Sequence, residues 1–144
     1  DKNHKLLGKT AIINSRLAYI TFLKKFPNQN KKPLQKPLWG STSTKNPKYS
    51  DSLYIDKLIA PNTVNTVPLD AIEKFAKTGK PENYNGWNEK EILSQLSDLN
   101  KMGINLNQIT EDLQTKGVQL FADSFDNLIN SIESKINNIQ TQAI

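Results

Sequence analysis

The sequence predicts an α/β chain in which helices dominate and about two strands run parallel. Three observations predict it. Only three of the 144 residues are valine (Val64, Val67 and Val118), so a sandwich or barrel made wholly of strands lacks its usual β-branched material. Apolar residues recur at helical spacing over most of the chain. Two short strand-like runs are each followed by a helical stretch, and connections of that length set successive strands parallel. The order suits one stretch of an eightfold α/β barrel and a small doubly wound fold alike. A full barrel needs about 250 residues, so this chain has room for about two βα units.

Taken in order, a helix is expected over 5–26, with Leu7, Ala11, Ala18, Phe22 and Phe26 in one row and Leu6, Ile13, Leu17 and Ile20 beside it. Pro27 and the run Asn28 to Gln35 end it, because proline disfavours helix in the residue before it. A strand near 37–41 (Pro37-Leu38-Trp39-Gly40-Ser41) opens into a polar loop to Ser50 with four consecutive hydroxyls, Ser41 to Thr44, followed by Lys45. Asp51 can cap a short helix to Ile59, which Pro61-Asn62 breaks. Thr63-Val64-Asn65-Thr66-Val67 is the strongest strand signal, a strand near 63–67. Pro68 then suits the first turn of a helix over 69–79, with Gly79 as its stop. After the loop Lys80 to Trp87, Asn88 and Glu91 have capping-box spacing for a helix over 88–102 closed by Gly103. Asn107 opens a helix over 107–116, and Gly117 separates it from a last helix over 118–139. In that last helix Val118, Phe121, Phe125, Leu128, Ile132, Ile136 and Ile139 recur at steps of three and four. Such a row serves a terminal helix docked on its own domain, or a coiled coil; Phe121 and Phe125 are bulky for the latter.

Composition narrows the function classes. Leu, Ile, Val and Phe together make 38 residues, enough for most of the chain to fold as one domain. Absent cysteines remove disulfides, thiolate metal sites and thiol nucleophiles, and a single His4 in a polar terminus makes no metal cluster. No run approaches the roughly 18 apolar residues of a membrane span, and the first residues lack an apolar signal region. A soluble, cytoplasmic protein without membrane partner is expected. The chain starts at Asp1 and its one methionine is Met102, so a processed, trimmed or fragmentary chain is also expected. Residues 1–50 carry a net charge of +10 and residues 51–144 a net of −5. A nucleic-acid partner is nevertheless not expected, because 18 of the 19 cations are lysine, Arg16 is the only arginine, and base readout favours arginine.

Specific strings then add to the pattern. Pro37-Leu38-Trp39-Gly40-Ser41-Thr42-Ser43-Thr44-Lys45-Asn46-Pro47, continuing through Tyr49-Ser50-Asp51 and Leu53-Tyr54, resembles the strand-and-loop signature of bacterial transaldolases of the longer class. Ala60 to Pro68 resembles the next strand of that family. Leu7-Gly8-Lys9-Thr10-Ala11-Ile12 with Asn14 to Tyr19 resembles the preceding helix, and Gly117-Val118 with Phe121 to Phe125 the C-terminal helix. The family usually has Ala where this chain has Gly40, and Met where it has Val67.

What the resemblance implies is the C-terminal portion of a (β/α)8 TIM barrel, carrying its seventh and eighth strands. The family moves a dihydroxyacetone unit between ketose phosphates, such as sedoheptulose 7-phosphate or fructose 6-phosphate, and aldose phosphates in the pentose phosphate pathway. A Schiff-base lysine on the fourth strand and carboxylates on the first and third do the chemistry, without metal or organic cofactor. Those strands precede this segment, so no catalytic residue is expected among residues 1–144, and the segment alone is expected to be inactive. Its contribution would be to the substrate phosphate site, through Ser41, Lys45 and, as a further contact, Ser43. Asn65 and Thr66 are barrel-mouth candidates; Asn65 can equally hold a neighbouring loop. Trp39 reads as core. The partners implied are the sugar phosphate and the remainder of the barrel, with room for a homo-oligomeric parent. The alternative is a non-catalytic module that binds a sugar phosphate or a partner protein.

Overall fold

The computed structural model describes residues 5–27 and 35–142; His4 and all of the expected run Asn28 to Gln35 except Gln35 lie outside them. Seven elements follow one another: α1 (Thr10–Lys25), β1 (Leu38–Trp39), α2 (Leu53–Leu58), β2 (Val64–Asn65), α3 (Leu69–Thr78), α4 (Glu89–Lys101) and α5 (Leu106–Gln142). They divide into two compact units, Asp1–Lys101 and Met102–Ile144, where the composition suggested one.

In the first unit β1 and β2 pair in parallel, with Leu38 opposite Val64 and Trp39 opposite Asn65. Val64 N–H donates to Pro37 O at 2.9 Å and Thr66 N–H to Trp39 O at 3.0 Å. Each strand is shorter than its sequence signal. Ser41 turns into the left-handed region at φ 55°, which ends the extended run after Gly40. Side chains alternate across such a ladder. Trp39 therefore packs into the core, while Leu38 and Val64 share the opposite face, 57% and 42% exposed.

Helix α1 begins at Thr10, five residues later than the apolar spacing predicts. Gly8 at φ +71° breaks the helical run, and the ring of Tyr49 lies about 3.1 Å from where a Cβ on Gly8 would stand. The buried face of α1 also differs from the predicted rows. Ile12, Ile13, Tyr19, Ile20 and Phe22 are buried, whereas Leu7, Ala11 and Ala18 are exposed. The cause is that α1 has two partners. Ile12, Tyr19 and Phe22 join Trp39, Leu58 and Ala60 in one core cluster, while Ile13 and Ile20 join Ile92 of α4 in another. Tyr19 donates its hydroxyl to Pro61 O at 2.9 Å, and burial, helped by neighbouring Tyr84, pushes its phenol up to about 12.

Helix α4 starts as its cap predicts on one side only. Asn88 Oδ1 accepts from Lys90 N–H at 3.0 Å and Glu91 N–H at 3.4 Å, but the Glu91 carboxylate accepts from Gln95 at 3.3 Å, within α4. In the second unit the predicted pair of helices is one. The helix α5 runs 37 residues through Gly117, and its N-terminal cap is Asn105, whose Oδ1 accepts from Gln108 N–H at 3.1 Å, so Asn107 lies inside it. A mid-helix glycine costs about 1 kcal/mol against alanine, and well-formed turns on both sides of Gly117 absorb that.

Candidate functional site

The polar loop after β1 is organised by its alternation. Thr42 is 3% exposed and donates its Oγ1 proton to Asn65 Oδ1 at 2.8 Å, tying the loop to the neighbouring strand. Thr44 Oγ1 donates to Ser50 O at 2.9 Å, with Asp51 O at 3.3 Å, closing the loop on itself. Beside and between these anchors Ser41, Ser43 and Lys45 take no partner for their side chains among the described residues. All three, together with Thr42 and Thr44, line one open hollow of about 590 Å³ just past the carboxyl end of β1, walled by Trp39, Tyr49 and Tyr54 among others. Two hydroxyls and an ammonium thus face a space sized for a small molecule. Ser41 holds a left-handed backbone without being glycine, a strained conformation of the kind found at ligand sites.

Gly40 precedes this loop. A Cβ there would meet only Thr66 Oγ1, at 4.0 Å, and its φ lies outside the left-handed region. Gly40→Ala is therefore expected to stabilise the fold by about 0.4–1 kcal/mol, chiefly by restricting the unfolded chain. Equal or lower denaturant midpoints for the variant would contradict this.

Of the two barrel-mouth candidates, the ladder separates them. Asn65 shares the face of Trp39, the packed side, and its carbonyl is held by Thr42. Thr66 lies on the face of Leu38 and Val64, with its hydroxyl donated to Trp39 O at 3.2 Å. Neither lines the hollow. Trp39 is core, as its residue type suggests, with Nε1–H donated to Leu58 O at 3.0 Å.

The sequence reading missed what stands behind the loop. Ser52 is fully buried and donates to Asp56 Oδ2 at 2.7 Å; Asp56, 7% exposed, also accepts from Lys80 N–H at 2.8 Å. The Ser50 and Ser52 hydroxyls lie 3.1 Å apart, so this network backs the residue that anchors Thr44. A Ser at i and an Asp at i+4 on a short helix was the available signal. Arg16 forms a second hub, donating Nη2 to Lys57 O at 2.9 Å and Glu82 Oε2 at 2.8 Å while its guanidinium lies 4.9 Å from the Trp87 ring.

Burial acts to raise the Glu82 carboxyl, but the hydrogen bond from Arg16 and the charges of Lys57 and Arg16 outweigh it and hold the group below its ordinary range. A carboxyl lowered on folding stabilises above its unfolded value and loses that contribution as pH falls through the folded one. The stability difference between the natural chain and Glu82→Gln should be constant above about pH 5 and close below about pH 4. Since Glu82 is half exposed, the gap should not exceed about 1 kcal/mol. A gap that widens on acidification contradicts the assignment.

Parallel strands followed by helices, with polar side chains gathered at a strand's carboxyl end, make up the working edge of α/β enzymes. The family model described as Transaldolase/Fructose-6-phosphate aldolase matches residues 1–132, and the chain belongs to that family. It is 39% identical to the transaldolase of Trichodesmium erythraeum over 142 residues, covering 92% of this chain and 37% of the relative. It is 37% identical to that of Frankia alni over 139 residues, covering 91% and 38%. With the transaldolase of Renibacterium salmoninarum it shares 32% over 150 residues, 99% of this chain and 40% of the relative. The chain thus spans about two-fifths of the length of the curated relatives it matches. Its helix-dominated build with two parallel strands suits a part of the family's barrel. Among the described residues no helix is long and apolar enough to cross a membrane.

Proposed function

We propose that this chain is the C-terminal portion of a transaldolase barrel, with β1 and β2 as its seventh and eighth strands. The hollow beside Ser41, Ser43 and Lys45 receives the phosphate of a sugar phosphate. The reaction of the whole enzyme transfers a dihydroxyacetone unit between sedoheptulose 7-phosphate or fructose 6-phosphate and aldose phosphates, in the pentose phosphate metabolism of the cytoplasm. The observation that supports this reading is the convergence on one hollow, at a strand's carboxyl end, of three side chains without a partner among the described residues. Phosphate oxygens accept hydrogen bonds and carry charge, so hydroxyls and an ammonium match them. The exposed face of Leu38 and Val64 would meet the remaining strands.

The Schiff-base lysine and the proton-handling carboxylates belong, on this reading, to strands outside the segment, and the segment alone turns nothing over. Borohydride treatment of the natural polypeptide with fructose 6-phosphate, followed by peptide mapping, tests it. The reduced adduct is expected on a lysine outside residues 1–144. An adduct on any of the 18 lysines here overturns the proposal.

A second reading is a non-catalytic module that binds through α5, where Val118, Phe121, Phe125 and Ile139 are all more than three-fifths exposed. A segment that stays monomeric at every concentration and gives no heat with sugar phosphates removes it.

A further inference from the structure

We infer that Thr42 and Asn65 form a positioning pair that holds the loop after β1 in its binding geometry and so sets affinity for the sugar phosphate. The inference rests on the phosphate reading above and adds two residues that do not face the hollow with a free group.

Three features of the loop lead here. First, residues 41–45 alternate between free and tethered side chains: Ser41, Ser43 and Lys45 are without partners among the described residues, while Thr42 and Thr44 each hold one. All five residues line the hollow, and the two threonine hydroxyls are bound while the two serine hydroxyls and the ammonium between and beside them are not. Second, Thr42 is the most deeply buried residue of the loop, 3% exposed, and directly follows Ser41 with its left-handed φ of 55°. A serine stays in that conformation only when its surroundings over-determine it. The 2.8 Å bond to Asn65 is the side-chain tether next to it. Third, Asn65 sits on β2 in ladder register with Trp39, whose own indole is fixed to Leu58 O, so the post to which Thr42 is tied is itself rigid. Thr44 and the Ser50 carbonyl secure the loop's other end.

Binding a phosphate on a loop that must first be ordered loses affinity by the cost of ordering, and a loop held in place beforehand does not. Removing the tether should therefore weaken binding of substrate while leaving the chemical step, performed elsewhere, untouched. This pattern separates a positioning role from a structural one, because a general loss of folded protein lowers apparent kcat and leaves KM alone.

The test uses the natural polypeptide carrying this segment, assayed with fructose 6-phosphate as donor. Thr42→Val should raise KM by about tenfold, the scale of one lost buried hydrogen bond, with kcat within about twofold. Thr42→Ser, which keeps the donor, should restore KM to near its natural value. Asn65→Ala approaches the pair from the other strand and stands in if Thr42→Val does not fold; the double variant should be no worse than either single one. An unchanged KM in Thr42→Val or Asn65→Ala, or a Thr42→Ser variant as impaired as Thr42→Val, overturns the inference. Ser41→Ala and Lys45→Gln, run alongside, report on the phosphate reading itself. If those two leave KM unchanged while the Thr42 variants raise it, the phosphate assignment fails; if they raise it and the Thr42 variants do not, only the pair fails.

Discussion

Trp39→Ala is expected to destabilise the first unit by about 3–5 kcal/mol, the range for removing a large buried aromatic ring. The indole is 9% exposed and lies in the cluster of Ile12, Tyr19, Phe22, Leu58 and Ala60, where α1, β1 and α2 meet. Its loss also leaves the Leu58 carbonyl without the bond it accepts from Nε1–H. Folded proteins hold only about 5–15 kcal/mol in total, so a variant of the natural polypeptide should show a large fall in denaturant midpoint. Trp39→Phe, which keeps most of the ring volume and loses the donor, should recover most of that stability. Loss below about 1 kcal/mol for the alanine variant would mean that the cluster does not hold the strand to the helices.

Asp56→Ala is the second large effect. The substitution removes both acceptors at once, leaving the Lys80 N–H unpaired and the fully buried Ser52 hydroxyl with only the Ser50 hydroxyl as partner. A buried hydrogen-bonding group that loses its partner costs about 1–3 kcal/mol, so a loss of about 1–3 kcal/mol is expected. Because the same network backs Ser50, amide exchange of residues 41–50 should accelerate as well, which a purely local loss at α2 would not produce. Asp56→Asn retains one acceptor and should fall between. Unchanged exchange in that loop would separate the network from the hollow.

Much of the element order was legible in the sequence. Two short extended runs, each followed by a helix, are marked by Pro37, Pro61 and Pro68, residues whose conformational limits act through their nearest neighbours. The end of α4 was legible for the same reason: Gly103 adopts φ +80° two residues after the helix stops. Gly117 carried no such certainty. A glycine is a stop only where the chain takes a left-handed turn, and here the residues on both sides continue one helix.

The candidate site was legible in part. Ser41, Ser43 and Lys45, proposed from a resemblance, are brought to one hollow. Asn65 was open between the barrel mouth and holding a neighbouring loop; the ladder puts it on the face of Trp39, where it holds the loop through Thr42. The anchors Thr42 and Thr44 went unread, although the Ser-Thr-Ser-Thr alternation was in view, because their partners lie up to 23 residues away.

By itself, then, the sequence determined the family of this protein, the order of its helices and parallel strands, and the polar run that forms its candidate site. These follow from local preference and from short strings of residues. Only the tertiary structure decided which side of α1 is buried, which of Asn65 and Thr66 faces the helices, and which hydroxyls remain free. Those outcomes depend on pairing between segments distant in the chain, where a shift of one residue in register exchanges every inward side chain for an outward one.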